Sequence, residues 1–186
     1  MRLLEKTSNI AVIVAACAVA ANALYDRVAN PAVSSAAPQD TFARHYKGKP
    51  IPLAGFQRGA ATVVLFVSKN CHFCAESAPF YQRLATMRSA SSGRLRIVAS
   101  VPQALETEED AKGYFSGRGI TLDAAQPAPF HKIGVMGTPT LALVSIKGLV
   151  TDVWTGKLAT DKEDEVIRRI SAECSGCVRE GSGGQP

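Results

Sequence analysis

The stretch Val63-Val64-Leu65-Phe66-Val67-Ser68-Lys69-Asn70-Cys71-His72-Phe73-Cys74 constrains the fold more than any other part of the chain. Its first five residues are β-branched, aliphatic or aromatic without polar alternation, which is the pattern of a strand buried on both faces. Ser68-Lys69-Asn70 breaks the run. Two cysteines three positions apart then lead into residues 75–88, which set Phe80, Leu84 and Met87 on one helical face. A strand that delivers a Cys-x-x-Cys pair to a helix start predicts a small, redox-active disulfide. Its first sulfur, on Cys71, falls where free N–H groups and the positive end of the helix dipole stabilise a thiolate. The spacing alone also suits half of a zinc site.

The wider context favours the dithiol. Gly137-Thr138-Pro139-Thr140 precedes a second apolar run at residues 141–146. With a strand before the cysteines, a helix after them and this proline loop downstream, the sequence resembles the thioredoxin superfamily. In that family a cis-proline loop faces the Cys-x-x-Cys pair, and Thr138-Pro139 stands in its place here. Pro79 matches the proline that kinks the active-site helix. The resemblance covers about residues 47–170 and is nearest to the exported, membrane-attached branch, which includes the reductases of cytochrome c maturation. It implies an α/β fold, a thioredoxin-like mixed sheet flanked by helices, with no cofactor and no metal. It makes Cys71 the nucleophile, Cys74 the resolving thiol, and Thr138 and Pro139 the site for an extended substrate strand. His72 either stabilises the Cys71 thiolate, by charge or hydrogen bond, or is solvent-exposed with little effect. Two positions depart from the family pattern. Leu65 replaces the buried acid six residues before the first cysteine, and Asn70 replaces the tryptophan that often precedes it. Glu76, the nearest carboxylate in sequence, reads as a surface salt-bridge partner.

Beyond this centre, residues 95–101 read as a second core strand, and residues 120–133 as a short strand with a loop. The acidic run at residues 106–110 reads as a solvated helix face, with the helix beginning near Thr107. Residues 141–146 and 149–154 form a hairpin about Lys147-Gly148. Residues 161–170 form a terminal helix with Val166, Ile167 and Ile170 facing inward. The order β, α, β, α, β, β, α implies a mixed sheet. The segment 46–58 contains Lys47-Gly48-Lys49-Pro50-Ile51-Pro52-Leu53, whose prolines suit an edge strand or irregular entry, and the resemblance favours a short hairpin in that segment.

A chain of 186 residues holds one domain plus extensions. Residues 10–24 are apolar except for Asn22 and follow Arg2 and Lys6. Three readings stand: an uncleaved membrane-anchor helix, a cleaved signal ending at a small-x-small site, or a lipoprotein with Cys17 as the lipidated residue. Each exports the domain, so the expected location is the cell membrane with a single pass and the domain on the periplasmic side. Residues 1–28 are read as signal or anchor, 29–45 as a Pro/Ala/Ser linker, 46–172 as the thioredoxin-like domain and 173–186 as a cysteine-containing tail. In that tail, Cys174 and Cys177 form a local disulfide, a shuttle pair exchanging with Cys71 and Cys74, or a metal clamp. The net charge of +5 is spread without Lys/Arg runs, which argues against nucleic-acid binding.

The leading reading is an exported, membrane-tethered thiol–disulfide oxidoreductase. Its partners are protein thiols and disulfides and an upstream thiol redox partner. Two alternatives remain. A peroxiredoxin-type thiol peroxidase calls for a Thr three residues before the nucleophile, where Ser68 is a partial match. A copper-handling thioredoxin-fold binding protein usually uses a longer cysteine spacing with a distant His, for which His131 is available.

Overall fold

In the computed structural model, residues 41–53 and 59–174 are described. The apolar run forms β1 (Ala61–Phe66), every residue of which is buried, as expected of a central strand. It pairs in parallel with β2 (Leu95–Pro102), with Val63 opposite Ile97 and Leu65 opposite Ala99. A parallel pair needs a crossover, and α2 (His72–Glu76) with α3 (Ala78–Ala90) supplies it. β2 continues through α4 (Glu108–Ser116) to a second parallel partner, β3 (Ala124–Ala128), the short strand expected in residues 120–133. On the other side of β1 lies the antiparallel hairpin β4 (Thr140–Val144) and β5 (Val150–Thr155), turning at Gly148, whose φ of 83° suits glycine. The five-stranded order is β3-β2-β1-β4-β5, a mixed sheet, and α5 (Thr160–Glu173) follows it.

Alternation along β1 divides the core. Val63 and Leu65 join Phe80, Tyr81, Leu84, Phe115, Val166 and Ile170 from α3, α4 and α5. Val64 and Phe66 join a second cluster with Phe42, Ile51, Ile133 and Val135. Of the three inward positions expected on the terminal helix, Val166 and Ile170 are fully buried, and Ile167 packs partly buried against the first cluster.

Two expectations are corrected. Residues 41–45 are not linker: Thr41–Tyr46 is a helix, α1, and its Phe42 is 0% exposed. The Phe42 ring stands edge-on to Phe66 at 5.1 Å and lies 4.8 Å from Tyr46. Gly134 permits this packing, because a Cβ there would lie 3.3 Å from the Phe42 backbone nitrogen. Loss of the Pro/Ala/Ser composition at Thr41 was the signal, and one aromatic residue with a sheet face to cover was the cause. In the segment 46–58, where the resemblance favours a hairpin, residues 47–53 form the irregular entry and no strand, and residues 54–58 lie outside the described residues. Residues 47–53 pair with the sheet through isolated bridges of Lys47 with Val150 and Pro50 with Leu149, and their Ile51 packs into the second core cluster. Pro50 and Pro52 remove the donors that a longer ladder would need. The expected anchor, the linker up to residue 40, Cys17 and Cys177 lie outside the described residues. Among the described residues, no helix is long and apolar enough to cross a membrane.

Candidate active site

The sheet brings three segments together beyond the C-terminal end of β1: the Cys71 turn, the Thr138-Pro139 loop, and the loop that follows β2. Cys71 is the N-cap of α2, with extended backbone at φ −87° and ψ 112°. Its Sγ accepts the Cys74 N–H at 3.1 Å, so the sulfur takes one of the donors that a helix start leaves unpaired. The two cysteines form a disulfide with Cα atoms 5.2 Å apart. Cys74 is 0% exposed within the first core cluster, whereas Cys71 is half-buried at its edge. This is the asymmetry that an attacking and a resolving thiol require.

Ser77 separates α2 from α3, and its hydroxyl donates to the Phe73 carbonyl at 2.8 Å. Pro79 sits in the first turn of α3, where its missing N–H leaves no broken bond. The interruption thus falls beside the proline singled out in the sequence.

Thr138–Pro139 is a cis peptide. The Thr138 carbonyl lies 3.3 Å from Cys71 Sγ. The closed disulfide has no proton to donate, so this contact becomes an S–H···O hydrogen bond only when Cys71 is a thiol. The loop is held from both sides. Thr140 Oγ1 donates to the Gly137 carbonyl at 2.8 Å, and the Gly156 N–H donates to the Pro139 carbonyl at 2.7 Å. Phe73 and Met136, 55% and 60% exposed, leave apolar surface on the dithiol helix and just ahead of the proline loop.

His72 turns toward Glu76, with Nε2 3.3 Å from Oε1 across one helical turn, and its side chain is 78% exposed. Glu76 also receives Lys157 Nζ at 3.0 Å. That hydrogen bond, more than the charge of His72, holds its carboxyl below the usual carboxylate range. Leu65 is 1% exposed at the position where the family pattern has an acid. With Ser77, Tyr81, Pro139 and Trp154 it lines a cavity of about 10 Å³, room for a single water at most. No carboxylate lines that cavity. Burial pushes the Tyr81 phenol well above its ordinary value, tempered by the nearby Ser77 hydroxyl. The Tyr81 phenol oxygen has no hydrogen-bond partner among the described residues.

Glu106 belongs to the site and was not recognised in the sequence. The expected solvated face does appear on α4, which opens with Thr107 and Asp110 in a capping box. Glu106, however, lies before the N-cap and is 5% exposed. Its carboxylate accepts the Ser68 hydroxyl and the Lys69 N–H, the latter at 3.1 and 3.0 Å from its two oxygens. The available signal was positional, since the C-terminal ends of neighbouring parallel strands converge and place Glu106 beside the turn before Cys71.

Of the second cysteine pair, Cys174 alone falls among the described residues. Cys174 is disulfide-bonded, 2% exposed, and caps the far end of α5. Ser68, the partial peroxidase match, is engaged with Glu106. His131 is exposed in the loop after β3, and among the described residues no three His, Cys, Asp or Glu side chains are grouped to hold a metal ion.

Sheet order, helix placement and a cis-proline facing an N-capping dithiol define a thioredoxin-like fold. Solved structures agree on that fold. A thiol-disulfide isomerase from Corynebacterium glutamicum matches with a TM-score of 0.53 and 17% identity, over 67% of this chain and 90% of that one. A candidate protein disulfide isomerase from Bacteroides thetaiotaomicron matches at 0.52 and 15%, over 63% and 75%. A candidate thiol:disulfide interchange protein DsbE from Chlorobium tepidum matches at 0.50 and 20%, over 63% and 82%. No protein-family model and no curated protein matches the chain.

Proposed function

We propose that this protein is an exported, membrane-tethered thiol–disulfide oxidoreductase that exchanges disulfides with protein partners through Cys71 and Cys74. The observation that carries the reading is the Cys71 sulfur at a helix N-cap, half-exposed, 3.3 Å from the carbonyl of the cis Thr138–Pro139 peptide. In the reducing direction the Cys71 thiolate attacks one sulfur of a partner disulfide. A mixed disulfide forms and the partner's other sulfur leaves as a thiolate. Cys74, deprotonated, then attacks Cys71 Sγ. The Cys71–Cys74 bond forms, the second partner thiol leaves, and two electrons have passed to the partner. The Cys74 N–H steadies the Cys71 thiolate at the start, and the Thr138 backbone offers an edge to an extended partner segment. Phe73 and Met136 suit a partner with an apolar residue near its cysteine.

Residues 1–28 serve in this reading as the export signal or anchor, and the partner of Cys174 is Cys177, closing a local disulfide in the tail. The fold-level likeness to thiol:disulfide interchange proteins is consistent with this chemistry, as is the apolar run at residues 10–24 with Arg2 and Lys6 before it. The test is insulin-disulfide reduction in the presence of dithiothreitol. Acceleration by the full chain, abolished in Cys71→Ser, is expected; an equal rate with and without the protein overturns the proposal.

A further inference from the structure

Glu106 stands in the site without a role in the exchange just described. Its two oxygens hold the Ser68 hydroxyl and the Lys69 amide, and the Ser68 carbonyl in turn accepts the Cys71 N–H at 3.1 Å. The whole turn from β1 to the N-cap sulfur is therefore fastened to one buried carboxylate in the loop that follows β2. Its charge is not cancelled by an ion pair. The adjacent cation, Lys69, directs its Nζ to Asp110 at 2.9 Å, and among the described residues Glu106 has no salt-bridge partner. Asp110 is itself tied into the cap of α4 by the Thr107 N–H at 2.9 Å. Tyr114 also faces this carboxylate. Its phenol is raised first by burial, and Glu106 adds to the rise while Arg118 opposes it. On the helix side, His72, Glu76 and Lys157 form a separate exposed group.

We propose that Glu106 is a positioning residue that fixes the turn presenting Cys71 and, by its uncompensated charge, keeps the dithiol more reducing. This rests on the oxidoreductase reading above. The physical reason is that disulfide reduction is favoured by whatever stabilises the thiolate of the reduced form. A fixed negative charge nearby acts the other way. Lys69 N and Cys71 N are two residues apart, at most about 7 Å, so carboxylate and sulfur are on the order of 10 Å apart. Across a partly solvated protein interior, one unit charge at that range changes thiol acidity by about three- to tenfold. A neutral acceptor keeps the Ser68 and Lys69 bonds to Oε1, losing the Lys69 bond to Oε2, without this effect, which is what separates a charge role from a scaffold role.

The experiment equilibrates the Cys71–Cys74 disulfide of the full chain with dithiothreitol and its cyclic disulfide, and follows Cys71 alkylation against pH. Glu106→Gln keeps the shape and an acceptor while removing the charge. It is expected to raise the equilibrium constant for the reduced protein about three- to tenfold and to move the alkylation midpoint to lower pH. Glu106→Asp, which keeps the charge, is expected to stay within twofold of the parent even where its melting temperature falls. A Glu106→Gln protein that melts earlier but keeps the parent's constant and midpoint overturns the proposal. Asp110→Asn covers the case in which Glu106→Gln does not fold. It frees Lys69 to neutralise Glu106 and is expected to shift the constant in the same direction, so no shift, or the opposite one, also overturns it. A parent protein that equilibrates with dithiothreitol but leaves insulin untouched refutes the oxidoreductase reading and leaves the Glu106 comparison intact.

Discussion

Replacing Cys174 and Cys177 together with serine distinguishes a tail that locks the end of a helix from one that relays electrons. Side-chain pairs fix the geometry. Lys157, just before α5, meets Glu76 beside the dithiol, while Arg83 further along α3 meets Glu163 and Asp164 at 2.9 and 2.6 Å. The two helices therefore run away from the active site side by side. Cys174 lies ten residues beyond Asp164 on α5 (Thr160–Glu173), about 15 Å further at 1.5 Å per residue. Arg83 is already nine residues past Cys74, so the total separation from the dithiol is on the order of 25 Å. The three residues from Cys174 to Cys177 span about 11 Å at full extension. The leash is too short by half. Insulin reduction by the double variant should thus stay within twofold of the parent. Stability should fall, by about 2 kcal/mol for opening a four-residue loop and a further 1–3 kcal/mol for a serine hydroxyl in the buried Cys174 position. Urea unfolding and the insulin assay, run on the same samples, read both quantities. A fivefold loss of turnover in a protein that remains folded would refute the reasoning. So would an intramolecular Cys71–Cys174 disulfide trapped in a Cys74→Ser background.

Four further outcomes are expected. In the reduced protein, iodoacetamide should label the half-exposed Cys71 well before the fully buried Cys74, as read by peptide mapping, and the reverse order would exchange their roles. Phe42→Ala should cost about 3–5 kcal/mol in urea unfolding, whereas a linker residue would cost nothing. Asp123 is raised by burial but lowered more by its hydrogen bonds from Arg88 and the Ile97 N–H, leaving its carboxyl below the usual range. Its stabilising contribution is therefore complete above the ordinary aspartate range and is lost as pH falls below about 4, so the stability gap between parent and Asp123→Asn should be constant near neutrality and close in acid. Alkaline phosphatase fused after Pro186 should be active and the full chain should remain with washed membranes; an inactive fusion would reject export.

The parts of this molecule that were legible in the sequence are those where one local pattern decides the outcome. The unbroken β-branched and aromatic run reads as a buried strand, and Cys71 and Cys74 three apart at a helix start could close a ring with no help from the rest of the chain. The acids after Thr107 announced a helix by matching its dipole, and the structure adds a capping box of Thr107 with Asp110 at that start. Thr138-Pro139 was legible only through its place in a longer pattern, since nothing in the dipeptide itself says that it meets Cys71. Phe42 and Glu106 mark where local reading fails. Each has neighbours of the opposite character: a tether-like composition precedes Phe42, and an acidic helix start follows Glu106. Each is claimed by a distant partner, the Phe66 ring in one case and the Ser68–Lys69 turn in the other, 38 residues earlier for Ser68. A buried carboxylate is costly without donors, and its donors here are a hydroxyl and a main-chain amide. The amide is a group that every residue but proline carries, so no residue type at Lys69 advertises it. The feature that places Glu106 against the dithiol is therefore the parallel pairing of β1 with β2, a fact of topology rather than of any stretch of sequence. It follows that Glu106 is to be sought in similar chains by its position in the loop after the second core strand, one residue before the helix cap.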